Sequence, residues 1–279
     1  ENRPGAVSCA ACGSTLGEEW ACKVCTLLNS PALDTCSACD SPGPSRPKRA
    51  ESCGDAKAIV LAPELGLLPR MSLIFLHGFC NTAEMYSSSE AFTLFRCQGL
   101  RVVLPTAPVL AITAHNGARQ NAWYNYLTDH DGQEEDDIDE ASLAATRQRI
   151  SALVDSEASL LGGYEKVFLG GASQGCCAAF DVFARHPMSL AGFVGFVGHP
   201  LSCTPIAESK QLEVVCNFYN GGADETMRLS WVKPAIDRLK SHGWTRLSSE
   251  IAAGADHGTS DELENEWMDK FLAQVFNKQ

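Results

Sequence analysis

No stretch of eighteen consecutive apolar residues occurs in the chain, so nothing in it reads as a membrane-spanning helix. No basic leader followed by an apolar core opens it, so no secretory signal is legible. Basic residues are scarce: 22 Lys and Arg stand against 34 Asp and Glu, a formal net charge of −12. A phosphate backbone is met with Lys and Arg, so this balance argues against a general nucleic-acid binder. The run Asp129–Glu140 has eight carboxylates and no lysine or arginine. It lacks the ligand spacing of a calcium loop and reads as a solvated loop leading into a helix, whose N-terminal dipole suits acidic residues.

What is present in number is cysteine, unevenly placed. Six of the thirteen precede residue 40, all in C-x-x-C pairs, and the remaining seven are scattered singly or adjacent. A metal module followed by a domain with free thiols fits this pattern, which points to a reducing compartment and a cytoplasmic location. The chain begins with Glu1 rather than Met, which reads as a processed or excised piece. The segment Ser8–Ser14 (SCAACGS) echoes Thr35–Ser41 (TCSACDS), so residues 1–14 look like the remnant of a preceding module.

The expected organisation follows from composition. Residues 1–40 form a Cys-rich region with a finger core over 18–41. Residues 41–56, rich in Pro, Ser and Gly, form a linker that cannot build a core. From 57 to 279 apolar strand-like runs alternate with helical patterns. Strands are predicted over 58–62, 71–76, 101–105, 166–170, 192–197, 213–219 and 247–251, and helices over 138–161, after Ser173, 230–239 and 261–276. Such alternation predicts an α/β fold, a mostly parallel sheet covered on both faces.

Lys166–Gly175 (KVFLGGASQG) places G-x-S-x-G between a buried strand and a helix. That is the setting of a nucleophile elbow: two glycines permit a sharp turn that lifts the Ser173 hydroxyl out of the sheet at a helix N-terminus. An acid and a base should follow in the order Ser, Asp, His. Asp224 lies just past the strand 213–219, and His257 just past 247–251, so all three fall at the carboxyl ends of strands. His257 would take the Ser173 proton, with Asp224 fixing its tautomer. Asp181 lies within the helix after Ser173, Asp256 adjoins the histidine, and His186 and His242 sit at helix ends where surface positions are expected. The oxyanion of an acyl-transfer intermediate needs N–H donors. Gln174, next to the nucleophile, and Phe79, in the loop of Leu76–Asn81 (LHGFCN), are the expected pair, with His77 holding that loop.

Taken together, Lys57–Pro63, Leu76–Phe79, Pro105–Val109, Trp123–Tyr124, Gly171–Gly175, Asp224 and His257 resemble the acyl-protein thioesterase / lysophospholipase / carboxylesterase family of small serine hydrolases. The resemblance runs in order over nearly all of 57–279 and implies an α/β-hydrolase fold. It also implies Ser173, Asp224 and His257 as the triad and Phe79 and Gln174 at the oxyanion positions. The sequence departs from the family at Asn220–Gly222, at Glu225–Arg228, at Cys176–Cys177 after the elbow, and at Asn81. In the family the region after Pro105 helps line an acyl channel. Val109, Leu110 and Ile112 are therefore expected to bind the acyl chain, the other reading being that they anchor a loop to the core.

Cys22, Cys25, Cys36 and Cys39 follow the spacing C-x2-C, ten residues, C-x2-C. Four thiolates so spaced can close a tetrahedral structural zinc site, the metal replacing the core a short segment lacks. With Trp20 before and Asn29 after, the segment resembles the Ran-binding-protein type of zinc finger; a site from Cys9, Cys12, Cys22 and Cys25 is the alternative. Members of that type bind ubiquitin or single-stranded RNA. No arginine lies between Cys25 and Cys36, against RNA, while Thr26–Leu27 is close to the ubiquitin binders' Thr-Phe. The finger is read as a protein-interaction module, for ubiquitin or another partner, or as purely structural.

The chain is therefore expected to be an enzyme cleaving acyl esters or thioesters through an acyl-serine intermediate. Its substrate would be an acylated protein, a lipid or a small ester, and it would need no cofactor for catalysis. The rival reading is a zinc-finger adaptor on a catalytically weak hydrolase scaffold.

Overall fold

The computed structural model describes residues 58–64, 67–130 and 134–276, together with two short strands, Trp20–Ala21 and Leu28–Asn29. The chain divides into two units, Glu1–Asp55 and Ala56–Gln279. In the first, β1 (Trp20–Ala21) pairs antiparallel with β2 (Leu28–Asn29), Trp20 opposite Asn29. The four expected zinc ligands, the repeat at Cys9 and Cys12 and the linker lie outside the described residues.

The second unit contains, in chain order, β3 (Ile59–Leu61), β4 (Met71–Leu76), α1 (Ala83–Tyr86), α2 (Ala91–Cys97) and β5 (Leu100–Leu104). There follow β6 (Val109–Ile112), β7 (Ala118–Asn121), α3 (Glu140–Leu161), β8 (Val167–Ala172) and α4 (Gln174–Arg185). The series ends with β9 (Gly192–Phe196), β10 (Cys216–Gly221), α5 (Leu229–Ser241), β11 (Leu247–Ala252) and α6 (Asp261–Phe276).

Seven of these strands form one sheet in the order β11-β10-β9-β8-β4-β5-β3, every pairing parallel except β3 with β5. Successive side chains of a strand point to opposite faces, and β4 uses this throughout. Ile74 and Leu76 join one apolar layer with residues of α3, α4 and α5, while Leu73 and Phe75 join another with residues of α2 and α6. Strands buried on both faces are read from continuous apolar runs, which is why the runs in the sequence found them. Because the strands are parallel, their carboxyl ends lie along one edge of the sheet, and the loops carrying Ser173, Asp224 and His257 leave from that edge. No described helix is long and apolar enough to cross a membrane.

The stretch after Pro105 differs from expectation. It is a two-stranded antiparallel hairpin, β6 with β7, turned through Asn116 (φ 54°, ψ 33°) and Gly117 (φ 78°). The connection is five residues long, a 3-10 turn at Thr113–His115 followed by the two positive-φ residues that lead the chain back into β7.

Candidate active site

Ser173 sits between β8 and α4 with φ 54° and ψ −125°. A non-glycine residue there costs about 1–3 kcal/mol, and the surroundings must hold it. The Ser173 N–H donates to Phe196 O at 2.9 Å, and its carbonyl accepts from Cys177 N at 3.2 Å. The flanking glycines are required sterically. A Cβ on Gly171 would lie 2.5 Å from the Gly175 backbone, and one on Gly175 would collide with the carbonyls of Leu76 and His77. The turn is thus wedged against the loop after β4.

Ser173 Oγ lies 2.9 Å from His257 Nε2, and His257 Nδ1 lies 2.8 Å from Asp224 Oδ2. Asp224 is almost fully buried, and its Oδ1 accepts from the N–H groups of Thr226 (2.8 Å) and Met227 (2.7 Å). Both carboxylate oxygens are therefore engaged. The Asp224 and His257 loops are themselves sewn together: Gly222 N donates to Ala252 O at 2.8 Å and Ala223 N to Ala255 O at 2.9 Å. With Nδ1–H directed to Asp224, Nε2 is a bare acceptor facing the serine hydroxyl. This arrangement can draw the proton from Oγ as it attacks a carbonyl and return it to a leaving group.

Gln174 is the first residue of α4, where N–H groups have no intrahelical partner. In the loop after β4, the neighbours of Phe79 are committed: Gly78 N donates to Tyr86 Oη and Cys80 N to Asn121 O. No acceptor for the Phe79 N–H occurs among the described residues. Cys80 itself takes φ 63°. His77 is buried and accepts from Ala107 N at 2.9 Å through Nε2, while Nδ1–H donates to Gly78 O at 2.7 Å. Burial holds its imidazole below the usual histidine range, so it is a neutral brace for the loop.

Several supports escaped the sequence reading. The buried Gln174 side chain accepts from Trp123 N at 2.8 Å and donates to Tyr124 O at 2.9 Å. Trp123 Nε1 donates to His77 O at 2.7 Å, and Thr146 Oγ1 donates to Trp123 O. A buried amide beside the nucleophile was the available signal. Cys177 lines the cavity beside Ser173, and burial pushes its thiol up to about 12, so it serves as a small neutral wall. Asp181 is fully buried against Arg185, Thr204 and Arg147, away from His257's carboxylate partner. His242 is exposed as expected, but His186 is buried, its Nδ1 3.0 Å from Met188 O.

A cavity of about 640 Å³ opens on this site, lined by Ser173, His257, Phe79 and Tyr126 among others. Val109, Leu110 and Ile112 do not line it. Strand alternation explains why: in β6 Val109 is exposed, Leu110 half-buried and Ile112 fully buried, so the three are divided between solvent and core. Acyl binding by these three residues therefore draws no support from this cavity.

The sequence profile of the Phospholipase/Carboxylesterase family matches residues 66–276. The chain belongs to that family. Acyl-protein thioesterase 1 of Schizosaccharomyces pombe is 29% identical over 127 residues, 46% of this chain and 55% of the yeast protein. Acyl-protein thioesterase 1 homolog 1 of Dictyostelium discoideum is 25% identical over 212 residues, 74% of this chain and 91% of its own. The crystal structure of Zea mays acyl-protein thioesterase 2 matches with a TM-score of 0.63 at 19% identity, covering 79% of this chain and 99% of the maize chain. At that identity the likeness concerns the fold, which is the α/β-hydrolase fold. This family member is a serine hydrolase acting on ester-type bonds.

Proposed function

We propose that Ser173 attacks the carbonyl of an acyl ester or thioester, that His257 moves the proton, and that Asp224 orients the imidazole. The N–H groups of Phe79 and Gln174 receive the oxyanion, and water then releases the acyl group from Ser173. The observation that carries this reading is the hydrogen-bonded line from Ser173 Oγ through His257 to Asp224, opening on the cavity. Relatives named acyl-protein thioesterases favour a thioester on an acylated protein among the possible substrates, with lipid and small esters beside it. The rival adaptor on a weak scaffold has nothing in its favour among the described residues. A fluorophosphonate probe tests the proposal: it should label the wild type at Ser173 and fail on Ser173→Ala. Labelling that survives Ser173→Ala would overturn it.

For the N-terminal unit we propose one structural zinc held by Cys22, Cys25, Cys36 and Cys39. The pairing of β1 with β2 supports this, because Cys22 and Cys25 lie between the two strands in sequence, as in a metal knuckle. The metal would fix the turn and supply no chemistry to the hydrolase. Its partner would be ubiquitin or another protein. The described cysteines are all free thiols, which suits a cytoplasmic protein.

A further inference from the structure

The acidic run does not spend itself on solvent. Asp139 caps α3, its carboxylate accepting from Ala141 N and Ser142 N, as expected of a helix entry. Asp129, Glu135 and Asp136 instead line the catalytic cavity, where Glu225 from the loop after β10 and Glu264 from α6 join them. Among the described residues, no lysine or arginine lines that cavity. Glu135 and Asp136 are half-buried. Burial foremost, with the Glu135 charge, raises the buried Cys177 thiol, so this carboxylate is near enough to act on a wall residue beside the nucleophile. Carboxylates of one sign around a concave, low-dielectric space focus a field on whatever enters it.

A second observation points the same way. His199 is only 2% exposed and lines the same cavity. Its Nδ1 lies 3.2 Å from Pro200 O, so that nitrogen carries the proton and Nε2 is a bare acceptor, with no partner among the described residues. The rings of Phe79, Tyr126 and Trp231 also form part of the wall. Carboxylates, an unfilled imidazole acceptor and aromatic faces share one complement, a cation that also donates N–H bonds.

We propose that the cavity selects esters or thioesters carrying a guanidinium or ammonium group, on the acyl part or on the part released, held chiefly by Glu135 and Asp136. The proposal rests on the hydrolase reading above, whose nucleophile opens into this cavity. A guanidinium and a urea have nearly the same shape and differ in charge, so matched probes isolate the effect. The acyl side is tested with 4-nitrophenyl 6-guanidinohexanoate against the 6-ureidohexanoate. The leaving side is tested with an S-octanoyl cysteine peptide flanked by arginines against one flanked by citrullines.

On at least one side the wild type should favour the guanidinium probe by about tenfold or more in kcat/KM. In Glu135→Gln/Asp136→Asn the ratio should fall to within about twofold, and about 0.5 M salt should shrink it in the wild type. The salt arm serves also if the double variant folds poorly. Equal turnover of charged and neutral probes on both sides, or a preference that survives both the substitutions and salt, would overturn the proposal. Failure of the hydrolase reading looks different: no probe is turned over and the fluorophosphonate does not label.

Discussion

Gln174 has two separable parts: its backbone N–H, proposed above to receive the oxyanion, and its buried side-chain amide, which ties α4 to Trp123 and Tyr124. Gln174→Ala should keep the first and remove the second, leaving a buried N–H and a buried carbonyl unpaired. The expected loss is about 1–3 kcal/mol of stability per orphaned group, read by urea titration. At Ser173 and His257, substitution by Ala should each lower kcat by roughly 10³-fold or more, with little additivity in the double variant, because the groups act as one unit. Asp224→Asn should cost somewhat less. Near-normal steady-state turnover by either single variant would remove the assignment. His77 makes a prediction in pH. Its folded-state affinity for a proton is depressed by burial, so the unfolded chain binds the proton more readily. Stability should therefore fall as pH drops below about 6.5, and the fall should be shallower in His77→Gln. Urea midpoints at several pH values check this.

At the scale of elements, most of the sheet was legible because its strands are buried on both faces and so appear as unbroken apolar runs. Met71–Leu76 and Asp261–Phe276 coincide with the predicted spans to the residue, and the others agree within a few positions. The carboxyl-end placement of Ser173, Asp224 and His257 was legible too, since each follows such a run. Other features were not, the short helices α1 and α2 among them. The β6–β7 hairpin lies outside the main sheet, and its apolar residues Val109 to Ile112 read as a loop until the Asn116–Gly117 turn is weighed. The acidic run read as solvated because composition records charge and not direction: Asp139 and Asp136 look alike in sequence, yet one caps a helix and the other lines the cavity. The elbow glycines can be tested at this scale. Gly175→Ala would drive a methyl into two carbonyls of the loop after β4, so it should separate Ser173 from that loop and destabilise the domain by about 1–3 kcal/mol, an overpacking penalty. A thermal melt indistinguishable from wild type would show that the loop can move aside.

For the whole molecule, the hydrolase domain has two apolar layers of its own. Removing zinc with a chelator should therefore leave esterase turnover in place, while about one zinc per chain is released. Immediate loss of turnover would mean that the hydrolase depends on the finger. The order of strands carries a different consequence. His257 follows β11, which is an edge strand, pairs with β10 alone and has no fully buried residue. Its hydrogen bond to Ser173 spans 84 positions of sequence. A peripheral strand with no fully buried residue thus carries the base that completes the catalytic line. Fraying of β11 would silence the enzyme while the rest of the sheet stood. Activity should vanish at a lower urea concentration than the far-ultraviolet circular dichroism, and on refolding it should return last, so that turnover reports the docking of one strand.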